Sequence, residues 1–151
     1  MEQKCKKVEE ARAVLGKYNH NVDAKGRLFV PAKLREELGE VFYVTVGLDN
    51  CLSVYPTARW KRIEENYSQL PLSKTRMLRT LFANACRCEP DKQGRFLVPQ
   101  ELRTYAGITD EVTFVGLGDH AEIWSAGRFA ALEAQELNSE KLLQAMEELQ
   151  F

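Results

Sequence analysis

Asp23-Ala24-Lys25-Gly26-Arg27-Leu28-Phe29-Val30-Pro31 returns further along the chain as Asp91-Lys92-Gln93-Gly94-Arg95-Phe96-Leu97-Val98-Pro99, with the Asp, Gly, Arg, Val and Pro in the same places. The correspondence continues through Leu34-Arg35 over Leu102-Arg103 and Gly39 over Gly107. After a one-residue insertion, Val46-Gly47-Leu48 lies over Val115-Gly116-Leu117. Val54-Tyr55 falls on Ile123-Trp124, and Arg59-Trp60 on Arg128-Phe129. A match of this extent covers a whole supersecondary unit, so the chain is a duplication and its two copies should fold alike.

Local signals define the unit. Short strands are expected over 17–22 and 85–89, each entering an Asp-x-x-Gly turn. There the Asp carboxylate can accept from backbone N–H groups ahead of it, and Gly26 or Gly94 can take positive φ. Return strands over 27–30 and 95–98 stop at Pro31 and Pro99, residues suited to opening a short helix. Those helices, 32–38 and 100–106, end at Gly39 and Gly107. Strands over 41–46 and 51–55 complete the first unit, and strands over 111–115 and 121–124 the second. Turns are expected at Gly47-Leu48-Asp49-Asn50 and Gly116-Leu117-Gly118-Asp119.

Between the copies, 57–70 carries Trp60, Ile63 and Tyr67 at helical spacing. After Pro71, a stretch capped by Ser73 places Met77, Leu78, Leu81 and Phe82 on one face. Helices over 127–137 and 139–149 follow the second copy. The last has an apolar stripe of Leu142, Leu143, Met146 and Leu149 that needs a partner, either the chain's own sheet or a second subunit. The organisation expected is a charged leader (1–15), a first repeat (16–60), a helical connector (61–84), a second repeat (85–129) and C-terminal helices (130–151).

A chain of 151 residues supports one ordinary domain or two very small ones leaning on each other. Hydrophobic residues at 44% and charged residues at 28% fit a soluble globular protein. The leader has Glu2, Lys4, Lys6, Lys7, Glu9 and Glu10 with no apolar run behind them, which argues against a secretory signal and for the cytoplasm. Cys5, Cys51, Cys86 and Cys88 lack the spacing of a disulfide framework, and Cys86-Arg87-Cys88 is not a Cys-x-x-Cys pair. They are read as structural thiols, with no metal. Trp60, Trp124 and Phe129 are read as core. No phosphate-cradling loop, nucleophile elbow or paired metal motif appears, so neither an enzyme nor a cofactor is expected. The net charge of −1 gives no global attraction to polyanions, so a nucleic-acid role must come from local clusters of positive charge. The two such clusters found are the duplicated turns.

A doubled Asp-x-x-Gly-Arg, each copy followed by an apolar strand, Pro and Leu-Arg, with helices between the copies, resembles the MraZ family. Gly16-Lys17-Tyr18 is similar to that family's opening Gly-x-Tyr. The match covers Gly16 to about Ala134 and departs in the leader. The resemblance implies an α+β, β-rich fold: a duplicated AbrB/MraZ-like swapped-hairpin (double-split) β-barrel with inserted and C-terminal helices. It further implies a ring-like homo-oligomer, on the nucleoid, that binds direct repeats in double-stranded DNA upstream of the cell-division and cell-wall gene cluster and regulates its transcription. The family's DNA-contacting loop falls on Asp23, Lys25 and Arg27 in the first copy and on Asp91 and Arg95 in the second. There, Gln93 replaces Lys25 and Lys92 comes one step earlier.

These residue types suit the chemistry. A guanidinium can pair with guanine O6 and N7 or clamp phosphate, which makes Arg27 the candidate reader, and Lys25 a mobile point charge for the backbone. Asp23 would lock the turn or orient Arg27. Lys33, Arg35 and Arg103 are either phosphate contacts or solvated charge. Two rival readings stay open: an AbrB-like regulator or antitoxin with other targets, and a ring-forming scaffold that binds proteins.

Overall fold

The computed structural model describes residues 13–151. The leader's charges and Cys5 lie outside the described residues. The elements are β1 (Val14–Asn21), β2 (Leu28–Phe29), a 3-10 turn (Ala32–Leu34) running into α1 (Arg35–Leu38), β3 (Phe42–Val46) and β4 (Leu52–Pro56). The connector holds α2 (Thr57–Ser68), α3 (Leu72–Thr75), a 3-10 turn (Arg76–Leu78) and α4 (Arg79–Ala83). The second copy supplies β5 (Cys86–Cys88), β6 (Arg95–Phe96), α5 (Gln100–Tyr105), β7 (Glu111–Gly118) and β8 (Ala121–Ser125), and the chain closes with α6 (Ala126–Glu136) and α7 (Ser139–Glu148).

Six strands form one antiparallel sheet in the order β1-β7-β8-β4-β3-β5, and β2 and β6 form a separate two-stranded ribbon. The pairings cross between copies. β1 of the first pairs with β7 of the second along its whole length, from Val14 opposite Gly118 to Asn21 opposite Glu111. β5 of the second pairs with β3 of the first. The ribbon joins Leu28 to Phe96 and Phe29 to Arg95. Each copy therefore lends its opening strand to the other's sheet, and neither can bury its apolar face alone.

The core follows the pleat. Leu28, Val30, Phe96 and Val98 are the inward residues of the ribbon, and they meet Phe42, Val44, Val54, Phe114 and Ile123 from the sheet in one buried cluster. Phe96 is keyed edge-on between Phe42 (centroids 5.1 Å apart) and Phe114 (6.3 Å), a geometry the ring quadrupoles favour. This fixes the ribbon, and the turns at its two ends, on the sheet. Leu34, Leu38, Leu102 and Ala106 from α1 and α5 with their approaches close the same core. Two buried hydroxyls find partners: Thr45 donates to the Leu81 carbonyl at 2.6 Å and Thr113 to Asn19 Oδ1 at 2.8 Å.

The connector packs through aromatic contacts. Trp60 stacks on Tyr43 at 5.3 Å and meets Phe82 at 5.5 Å, while Tyr67 lies 4.2 Å from Phe82. Trp124 is buried against Phe129, 5.7 Å away, so these rings are packing groups, as their repeat-equivalent positions indicate.

Four expectations are corrected. β1 begins at Val14, inside the segment read as leader, because its ladder with β7 reaches Gly118 and buries Val14. β7 accordingly runs through Gly116-Leu117-Gly118, where the sequence predicts a turn. Gly116 lies so close to the neighbouring strand that a Cβ would fall 2.5 Å from the Leu15 nitrogen. Ser73 does not cap: helix begins at Leu72, with Pro71 before it. The stretch after Pro71 is three short pieces, with a 3-10 turn between α3 and α4.

Candidate nucleic-acid interface

Each turn is built by its aspartate. Asp23 Oδ1 accepts from the backbone N–H of Lys25 (3.0 Å) and of Arg27 (2.8 Å), and Oδ2 accepts from Arg27 Nε at 2.7 Å. The second turn repeats this closely: Asp91 Oδ1 accepts from the N–H of Gln93 and Arg95, both at 2.9 Å, and Oδ2 from Arg95 Nε at 2.7 Å. Backbone bonds from Gly26 to Asp23 and from Gly94 to Asp91 close each reversal, with the glycines at φ +78° and +84°. Nε being committed to the carboxylate, the Nη groups of each arginine hold its remaining donors.

The carboxylates register these bonds. Partial desolvation alone would raise Asp23, but the Arg27 and Lys25 amides and the Arg27 guanidinium outweigh it and hold the carboxyl below its usual range. For Asp91 the leading influence is the Arg95 amide, which with the guanidinium lowers it in the same direction against a smaller desolvation. Both turns are thus ionised, internally bonded units at neutral pH.

Ribbon register decides which way the arginines face. Residues alternate, with Leu28, Val30, Phe96 and Val98 buried, so Arg27, Phe29, Arg95 and Leu97 form the opposite, outward face. Arg95 is directly opposite Phe29. Arg27, two residues before Phe29, is therefore its diagonal neighbour, on the order of 7–8 Å away. Leu97 stands on this face 56% exposed. The two turns flank it with Lys25 and Lys92 exposed at their tips. The sequence-predicted residues thus gather on one ribbon, four cations against two carboxylates, in a chain whose total charge is slightly negative.

Two further arginines underlie the turns. Arg35, from the first copy, donates through Nη2 to the Gln93 carbonyl of the second turn at 2.9 Å, and a Cβ on Gly94 would fall 2.5 Å from that nitrogen. Arg103, from the second copy, lies under the first turn, with Nη1 2.3 Å from where a Cβ on Gly26 would be. The glycines are required twice over, for positive φ and for room. Arg35 thus bonds the second turn from the first copy, and Arg103 packs against the first turn from the second copy, roles that reading the two as phosphate contacts or solvated charge does not include. The repeated Leu-Arg after each proline was the available signal, but its meaning depends on the crossing of the copies. Among the described residues, no group of three or more His, Cys, Asp or Glu is placed to hold a metal ion.

Comparison with known proteins gives a family and relatives. The family model described as "MraZ protein, putative antitoxin-like" matches residues 13–79 and again 81–150, once per copy. The chain is 47% identical over 140 residues to a transcriptional regulator MraZ of Caldicellulosiruptor bescii, covering 90% of this chain and 98% of that one. It is 53% identical over 114 residues to the protein so named in Carboxydothermus hydrogenoformans (74% and 80% of the two chains). Over 117 residues it is 50% identical to that of Lachnoclostridium phytofermentans (76% and 83%).

Proposed function

The chain belongs to the MraZ family, and from that premise we propose that it is a DNA-binding transcriptional regulator, not an enzyme, that grips duplex DNA with the two turns of its β2–β6 ribbon. The observation that carries this reading is that Arg27 and Arg95 share one outward face as diagonal neighbours, each pre-set by an aspartate. A two-stranded ribbon fits the major groove, where Nη donors can meet guanine O6 and N7. Lys25 and Lys92 at the tips would take phosphate and fix register. Arg35, by its bond to the second turn, and Arg103, by packing under the first, leave less ordering to the moment of binding. No helix among the described residues is long and apolar enough to cross a membrane. The place proposed for the protein is the cytoplasm, on the nucleoid.

One ribbon supplies few contacts, each worth about 1–3 kcal/mol of discrimination. The reading therefore includes a homo-oligomer, a ring in which equivalent ribbons meet direct repeats in the promoter of the cell-division and cell-wall genes, gaining avidity of roughly 10²–10⁴. Apolar surface left uncovered among the described residues supports it. Leu142, Leu143 and Met146 of α7 and Leu149 just after it are exposed, and that helix is acidic through Glu140, Glu147 and Glu148. The connector carries exposed Met77 amid Lys74, Arg76 and Arg79. The swapped-hairpin barrel is likewise our reading of the crossed strand pairing. The test is a binding titration with a duplex from the promoter of the protein's own gene. Binding should weaken steeply with salt and be lost in Arg27→Ala while fold and assembly size persist; a scaffold would bind no duplex and lose nothing on that substitution.

A further inference from the structure

Cys86 and Cys88 stand two positions apart on β5 and leave the same face of the strand. Their sulfurs lie 3.7 Å apart. Cys86 is half-buried at the sheet edge, whereas Cys88 belongs to the core. Among the described residues β5 is an edge strand paired only with β3, with Cys86 opposite Val44 and Cys88 opposite Phe42. Three residues after Cys88 the chain enters the second turn at Asp91.

We propose that Cys86 and Cys88 are a hydroperoxide-reactive dithiol that closes to a disulfide and, in closing, loosens the Asp91–Arg95 turn. The chemistry divides between the two thiols. The Cys88 thiol bonds to Cys86 and lowers it below the usual thiol range, despite an opposing push from burial. That same interaction, with burial, drives Cys88 upward. Cys86, the more exposed, is the nucleophile, and Cys88 keeps its proton. The Cys86 thiolate attacks one peroxide oxygen; the O–O bond breaks, and the alkoxide leaves and takes a proton as an alcohol. Cys86 is then a sulfenic acid. Cys88 attacks its sulfur, the S–O bond breaks, and the hydroxide leaves as water with the Cys88 proton. Two thiols and one hydroperoxide become one disulfide, one alcohol and one water.

Closing the bridge strains β5. Alternate Cα atoms of a strand are about 6.6 Å apart, at the far end of the roughly 4.4–6.8 Å that a disulfide spans. Bond formation therefore puckers the strand and competes with its short ladder to β3. The disturbance is passed through Glu89-Pro90 to Asp91, whose carboxylate organises the turn. The first copy has no such device: the aligned residues are Tyr18 and His20, on an eight-residue strand. Cys51 stands apart, fully buried with its thiol donating to the Leu48 carbonyl at 3.1 Å.

The full-length protein is treated with cumene hydroperoxide and read by mass. It should lose two hydrogen masses, and tryptic cleavage after Arg87 should leave 80–87 and 88–92 joined until a reductant is added. Cys88→Ser should stop at a Cys86 sulfenic acid that dimedone labels, Cys86→Ser should form no bridge, and Cys51→Ser should behave as the parent. Amide exchange at 91–95 should quicken about tenfold on oxidation, with 23–27 unchanged. Folded protein without the joined peptides, a bridge to Cys51 or Cys5, or dimedone on Cys86→Ser at Cys88 would each overturn the dithiol. An unchanged second turn in the bridged protein would overturn its coupling. None of these readouts requires DNA.

Discussion

The first and second turns share their hydrogen bonds almost atom for atom, yet differ in charge and in anchorage. Asp23 and Arg27 are 21% and 28% exposed, against 39% and 31% for Asp91 and Arg95. The first turn extends from an eight-residue edge strand paired throughout with β7; the second hangs from a strand of three residues at the opposite edge. The first presents Lys25 where the second has Gln93. Duplication has kept the skeleton of the site, an aspartate stitching a glycine turn to an arginine, while charge and support have diverged. What a turn needs in order to fold is more narrowly constrained than what it offers to a ligand.

The largest expected effect follows from the shared skeleton. Gly26→Val forces a β-branched residue to positive φ with its Cβ on the Arg103 guanidinium, and the turn cannot keep its geometry. Promoter binding should fall at least as far as in Arg27→Ala, with a loss of thermal stability of about 1–3 kcal/mol by denaturation. Next come the arginines. Arg27→Ala should cost about 1–3 kcal/mol per ribbon in a binding titration, and Arg95→Ala less, since no lysine sits where Lys25 does. Equal or reversed losses would break the asymmetry.

Smaller effects sharpen it. Lys25→Gln should reduce the slope of log affinity against log salt by about 1, and Gln93→Lys should raise it similarly, making the second turn resemble the first. Because Asp23 and Asp91 are held below the usual carboxylate range, the stability each contributes is complete above an unfolded value near 3.8 and is lost only as pH falls through the lower folded value. An NMR titration should place both carboxyls below 3.8, and amide protection of the turns should disappear only in that acid range. Arg35→Met removes the brace from the second turn alone; exchange there should rise while the first turn is unaffected.

Much of this arrangement was legible in the residues. The repeated Asp-x-x-Gly-Arg located both turns because an Asx-type turn is a local device, decided within five residues. Pro31 and Pro99 marked the helix starts for the same reason. The exchange of strands was not legible: whether β1 joins its own copy or the other depends on contacts nearly a hundred residues apart, and a repeat looks identical either way. That blindness explains the rest. The extension of β1 to Val14 depends on β7, the strand character of Gly116-Leu117-Gly118 depends on β1, and the bracing role of Arg35 and Arg103 depends on each helix lying under the other copy's turn. Ser73 misled because a capping residue type was present, but Pro71 already set the first helical position one residue earlier.

Both turns of one ribbon are proposed to meet duplex DNA together. Hydrogen–deuterium exchange of the full-length protein, with and without a saturating promoter duplex, tests it most directly. Slowed exchange confined to 23–29 and 91–97, stronger in the first stretch and reversed by high salt, is the expected footprint. Protection that appears instead on the connector or on α7, with both turns exchanging as in the free protein, would contradict it.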